Sequence, residues 1–209
     1  STAASASEGA VRMKKYWSFF KMRLMAGLQY RAAAMAGMST QFVWGAMEIL
    51  LYRAFWAEHP GQFPMGMEAL SSYIWLQQAF LTLFAMWNWE HDILRSVKEG
   101  TVAYELLRPP DIYSMWMARS VANRLARASL RMVPVLVVAS FIPAPYGLRL
   151  PASPAAFALF LLASVLMVLV VCSYHLLVYA LTFYLTDPNG LMVLSVAAAD
   201  LLGGAIVPL

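Results

Sequence analysis

From Pro154 to Leu185 the chain carries no Asp, Glu, Lys or Arg. As one helix this run would be about 48 Å long, beyond the roughly 30 Å hydrocarbon core of a bilayer. A segment of that length and polarity is stable in lipid, and there its backbone must be helical, because hydrocarbon offers no partner to an open N–H or C=O. The run reads as one long span that projects past the bilayer, with a break near Ser173 to His175 as the alternative.

Four further runs behave in the same way. Ala33 to Trp56 is enough for about 36 Å of helix, which crosses with some tilt. Leu70 to Trp89 ends in the aromatic pair Trp87 and Trp89 at headgroup level. A third span, Leu125 to Ile142, follows a mixed helix from Ile112 and is terminated by Pro143, Pro145 and Gly147. The fifth runs from Leu191 to Leu209, after the turn Thr186-Asp187-Pro188-Asn189-Gly190. Composition agrees: 61% of residues are hydrophobic and 12% charged, where a soluble domain carries roughly 25% charged residues. The expected fold is therefore all-α, a polytopic membrane protein with a single transmembrane domain over 13–209.

Ahead of the first span, residues 1–12 are rich in Ser and Ala and are expected to be an irregular tail, with Met13 a candidate first native residue. From 13 to 31, Met13, Tyr16, Trp17, Phe20, Leu24 and Leu28 recur at three- and four-residue steps while Lys14, Lys15, Lys21 and Gln29 gather elsewhere. This pattern predicts an amphipathic helix lying in the membrane interface. Lys21 and Arg23 interrupt it too early for a cleaved signal peptide.

Charge sets the orientation. Of fifteen Lys and Arg, six precede the first span and seven lie between the second span and the apolar core of the third. Arg53 and Arg149 alone fall near the other side. The bias places the N-terminus and the central region, residues 90–111, in the cytoplasm of a cell's inner membrane. In such a chain a net charge of +4 records topology, and nucleic acid is not an expected partner. One cysteine, Cys172, and three histidines, His59, His91 and His175, give no disulfide framework and no metal-ligand spacing. No HExxH, GxSxG or phosphate-binding Gly-x-x-x-x-Gly-Lys loop is present, so no catalytic residue, metal or bound cofactor is assigned to this chain.

The central region is the longest polar interruption. Its Glu99-Gly100-Thr101-Val102-Ala103-Tyr104-Glu105-Leu106-Leu107-Arg108-Pro109 resembles the signature, SG-x-hydrophobic-A-x-x-L-L-R-P, that follows the second span in membrane permeases of type-2 ABC transporters. Gly203-Gly204-Ala205-Ile206-Val207-Pro208-Leu209 is similar to that family's fifth-span ending. The resemblance covers about residues 13–209 and implies a sixth span beyond Leu209. It also implies a permease that pairs with a second permease chain, identical or different, and with two ABC ATPase subunits that hold ATP and Mg. In the family a coupling helix after the second span docks on the ATPase. Glu90, Asp92, Ile93, Leu94, Arg95, Val97, Lys98, Glu99 and Gly100 are the match, with an apolar ridge to insert and charges to set register. Gly100 is expected to end that helix. Arg108-Pro109-Pro110 then makes an extended exit, with Arg108 available to lipid phosphate or to Glu105 three residues away.

Ionisable and amide groups inside spans form a second candidate set. An unpaired charge at the depth of Asp200 would cost at least ~3 kcal/mol. Glu48, Gln77, Gln78, His175 and Asp200 either line a translocation path or hydrogen-bond between helices to fix packing. The small residues Ala33, Ala34, Ala36, Gly37 and Gly45 on the first span permit close approach of another helix. The rival reading is a secondary transporter driven by an ion gradient, with Asp200 and Glu48 as carriers.

Overall fold

The computed structural model describes residues 2–29, 31–58, 65–107, 111–185 and 187–202, and only the backbone of 2–12, 31–33 and 202. Among them every regular element is a helix. In chain order these are α1 (Thr2–Gly27), α2 (Arg31–Glu58), α3 (Met67–Phe84), α4 (His91–Lys98), α5 (Val102–Leu106), α6 (Ile112–Phe141), α7 (Pro154–Leu181) and α8 (Asn189–Leu202). Arg108, Pro109, the Gly203–Leu209 ending and most of the loop after α2 lie outside the described residues.

Several boundaries differ from the sequence reading. The first helix starts at Thr2, not near Met13; the alanines of the expected tail are the best helix formers, and they extend the element backwards. The second membrane-length run ends as a helix at Phe84, not Trp89. Its last carbonyls find partners in side chains, which removes the need for a further helical turn: Arg124 Nη1 donates to the Leu83 carbonyl at 3.2 Å. α6 is continuous for 30 residues with Pro134 inside it, which costs one ladder bond but leaves the apolar face intact. α7 passes through Ser173–His175 without a break.

By length and composition, α7 is the one described helix apolar enough to cross a bilayer, and α8 is a shorter apolar helix. Much of the apolar surface is not buried. On α7, Leu159, Val165 and Val170 are exposed, as are Met35, Trp44, Leu50 and Phe55 on α2. Apolar area on this scale marks a lipid or protein contact surface.

The chain divides into two compact units. In one, comprising 24–83 and 124–164, Ile49, Leu70, Ile74, Trp75, Ala79, Val135 and Ala139 form the core. Gly45 permits part of this packing, since a Cβ there would sit 3.0 Å from the Trp75 ring; a face expected to receive a partner helix is here used within the chain. At one end Trp75 Nε1 donates to the Tyr146 carbonyl at 2.7 Å, Arg149 pairs with Glu68, and Arg53 lies over the Tyr146 ring. The other unit, comprising 1–23, 84–123 and 165–209, has its core at Trp89, Ile93, Leu94, Val102, Trp116, Leu176, Val178, Tyr179 and Met192. It contains the central polar region.

Candidate functional site

An isolated helix as short as α4 does not persist in water. Local signals help it: Asp92 lies in its first turn and Arg95 and Lys98 in its last, each charge complementing the helix dipole. The Glu90 carbonyl accepts from the N–H groups of Ile93 and Leu94 at 3.0 and 3.3 Å. Packing does the rest. Ile93 and Leu94 are 1% and 5% exposed, a burial worth about 2 kcal/mol each.

This burial corrects the expected apolar ridge. Ile93 and Leu94 point into the chain's own core, which an eight-residue helix needs in order to stay folded, and Val97 packs partly against the same cluster. The outward face is polar: His91, Asp92, Arg95, Lys98 and Glu99 are exposed. Gly100 ends the helix with φ +72°, and no atom would crowd a Cβ there, so backbone conformation alone makes glycine the suitable residue.

Three anchors hold α4 to the rest of its unit. Glu90, itself buried, donates its backbone N–H to the Tyr179 hydroxyl of α7 at 2.9 Å. Its carboxylate accepts from Asn123 Nδ2 of α6 at 2.8 Å and lies 3.6 Å from Arg119 Nε. Arg119 also donates from Nη2 to Asp92 at 2.7 Å. At the other end of α4, Lys98 Nζ donates to Asp187 Oδ1, just before α8, at 2.9 Å. Lys98's hydrogen bond holds the Asp187 carboxyl below its ordinary pKa, and Asn189 contributes.

α5 is attached through Glu105, whose carboxylate accepts from Trp116 Nε1 at 2.9 Å. The arginine expected to pair with Glu105 lies outside the described residues. Asp111 caps α6 by accepting from the Ser114 N–H at 2.8 Å, and its own N–H donates to the Tyr16 hydroxyl of α1 at 3.1 Å. Arg23 of α1 is half-buried. Burial, then the like charge of Arg119, lower its pKa, while Glu90, Asp92 and Glu105 act in the opposite sense. Two guanidinium and three carboxylate groups thus form one electrostatic cluster around the base of α4.

Sequence patterns alone do not assign Arg119, Asn123, Trp116, Tyr179 or Arg23 to the site. One signal is available: Trp116, Arg119 and Asn123 are three and four residues apart, so they share a face of α6. Nothing local points to Tyr179, which is 89 residues from its partner.

The second candidate set is divided between the two units. Gln78 Nε2 donates to Glu48 Oε2 at 3.4 Å, and Gln77 is partly buried. His175 is buried on α7, stacked on Trp89 with ring centroids 4.1 Å apart, and its Nε2 lies 2.9 Å from the Met86 carbonyl. Asp200 lines a groove with Trp87 and Trp89. The structure therefore brings Glu48 together with Gln78, and gives His175 a packing environment of its own. Among the described residues no group of three or more His, Cys, Asp or Glu could hold a metal ion.

Comparison with curated proteins and with solved structures returned no match. The family model described as "ABC-2 family transporter protein" matches residues 42–208, which take in α3 to α8 entirely and most of α2. With helices as the only regular elements among its described residues, extensive exposed apolar surface and a match over well more than half its length, the chain belongs to the ABC-2 transporter family of membrane permeases.

Proposed function

We propose that this chain is a transmembrane subunit of an ATP-driven exporter and that α4 is its docking element for an ABC ATPase. The observation that carries this reading is the two-sided character of α4. Its inner face, Ile93 and Leu94, is buried in the core, and Glu90, Asp92 and Lys98 at its ends tie it to α6, α7 and the turn before α8 through Arg119, Tyr179 and Asp187. Its outer face displays charges of both signs. A push on such an element is passed to three long or membrane-directed helices at once, as a rigid-body transition requires. Oppositely charged pairs on a docking face set register and rate of association more than affinity.

In this reading α2, α3, the apolar half of α6, α7 and α8 are five spans of one transmembrane domain, and α1 lies in the interface against lipid. The thirteen-to-two distribution of Lys and Arg supports an N-terminus and an α4 on the cytoplasmic side of an inner membrane. ATP and Mg are held by two ATPase subunits, and the translocation path forms against a second permease chain, identical or different. Arg108 with Pro109 directs the exit from α5. Glu48, Gln77, Gln78, His175 and Asp200 are candidates for contact with the path.

The test is co-purification from the native membrane of the ATPase with the tagged chain. The reading expects an ATPase chain in the wild-type complex and its loss when Arg95 and Glu99 are both reversed in charge, with the permease still folded. Gradient-driven, vanadate-insensitive transport by this chain alone would instead establish a secondary transporter.

A further inference from the structure

We infer that the groove beside α8 binds an amphiphilic organic cation, with Asp200 as its counter-charge. This rests on the permease reading, and it names the class of molecule carried. Asn189, Met192, Val196 and Asp200 all line the groove, and their steps of three and four residues form one stripe along α8. Trp87 and Trp89, from the irregular stretch after α3, line it too. The space is about 660 Å³, an open groove with room for a drug-sized ligand.

The chemistry of the lining selects the occupant. Asp200 is the one ionisable residue in it, and the rest is mainly apolar. Among the described residues no ion pair forms to Asp200. Asp200 is 11 residues beyond Asn189, so it stands about 16 Å further along the helix axis; with α8 as a span, a carboxylate at that depth needs a counter-charge. A neutral apolar helix filling the groove would leave that charge unanswered, and an anion would be repelled. A cation with an apolar body suits this lining: its charge faces Asp200, its hydrocarbon covers Met192 and Val196, and the exposed Trp87 indole supplies cation–π contact.

Equilibrium dialysis of the purified full chain in lipid nanodiscs against tetraphenylphosphonium tests this. Tetraphenylborate, equal in shape and opposite in charge, is the control. Saturable binding of the phosphonium is expected, with at least tenfold weaker binding of the borate. Asp200→Asn should weaken phosphonium binding at least tenfold. Ala197→Phe fills the groove at an exposed apolar position, keeps the carboxylate, and should abolish binding while leaving thermal unfolding unchanged. Equal binding of both ions, or undiminished binding by both variants, overturns the inference. So does absence of phosphonium binding together with disulfide cross-linking of Ala197→Cys between copies, which would mean a second chain fills the groove. A chain that co-purifies with an ATPase but binds no phosphonium loses this inference and keeps the exporter reading; one that binds phosphonium without any ATPase does the reverse.

Discussion

The Arg119 guanidinium lies 3.6 Å from the Glu90 carboxylate, and both side chains are about nine-tenths buried. Arg119 also reaches outward to Asp92, whose side chain is 72% exposed. One cation therefore serves a buried and an exposed carboxylate, and the two contacts differ in worth. Removing Arg119 takes away a buried cation beside the buried Glu90 carboxylate, which keeps its hydrogen bond from Asn123, a loss of up to about 3–5 kcal/mol. Removing Asp92 breaks a pair exposed on its carboxylate side and leaves Arg119 beside Glu90, a loss of about 0–1 kcal/mol. Arg119→Ala should thus lower the thermal unfolding midpoint sharply in detergent, and Asp92→Ala hardly at all. Adding Glu90→Gln to Arg119→Ala should recover a good part of the loss. Equal effects of the two single variants would mean that Glu90 is not the residue Arg119 serves.

The contact between Lys98 and Asp187 gives a prediction with a pH sign. Asp187 has a lowered pKa in the folded chain, chiefly through Lys98's hydrogen bond. A depressed carboxylate contributes stability above its unfolded pKa, about 3.9. That contribution fades as pH falls through the still lower folded value. At neutral pH Asp187, with its lowered pKa, is ionised and its contribution is fully present. Lys98→Met should raise the Asp187 midpoint, read by carboxyl carbon NMR, though not fully to the ordinary value, because Asn189 Nδ2 still donates at 3.0 Å. An unmoved midpoint would show that the tether does not form in solution.

Legibility in the sequence follows the range of the interactions. The apolar runs locate α2 and α7 well, because period and length are local properties. Gly100 marks the end of α4 for the same reason. The end of α3 is not legible, since Arg124 and His175 supply partners to Leu83 and Met86 from distant parts of the chain. The direction of Ile93 and Leu94 is hidden as well: their spacing shows that they share a side, but only the packing of Trp116 and Tyr179 shows that this side faces inward. Of the site, the charged outer face can be read from residues 90–100, and its anchors on α6 and α7 cannot.

Gly100 offers a test confined to backbone conformation. With φ at +72° and no atom near the place a Cβ would occupy, alanine meets no clash there but must adopt the left-handed region, at roughly 1–2 kcal/mol. Gly100→Ala should lower stability by about that amount, and Gly100→Asn by less, because asparagine visits this region more readily. Chemical denaturation of the three proteins checks the order. Equal loss from both substitutions would point to space, and not φ, as the constraint.

The inner and outer faces of α4 make opposite demands, and a pair of substitutions separates them. Ile93 is 1% exposed in a cluster with Trp89 and Tyr179, so Ile93→Ala leaves a cavity costing about 2–5 kcal/mol. Arg95 is exposed on the far side, where a surface substitution moves stability by about 0.5 kcal/mol or less. Arg95→Glu should leave the unfolding midpoint in place while reducing retention of the ATPase and slowing its association most at low salt, where screening is weakest. Ile93→Ala should lower the midpoint, and at temperatures where the variant remains folded it should still retain the ATPase. If Ile93→Ala abolished retention without destabilising the chain, Ile93 would be inserting into the partner, and the assignment of the two faces would have to be exchanged.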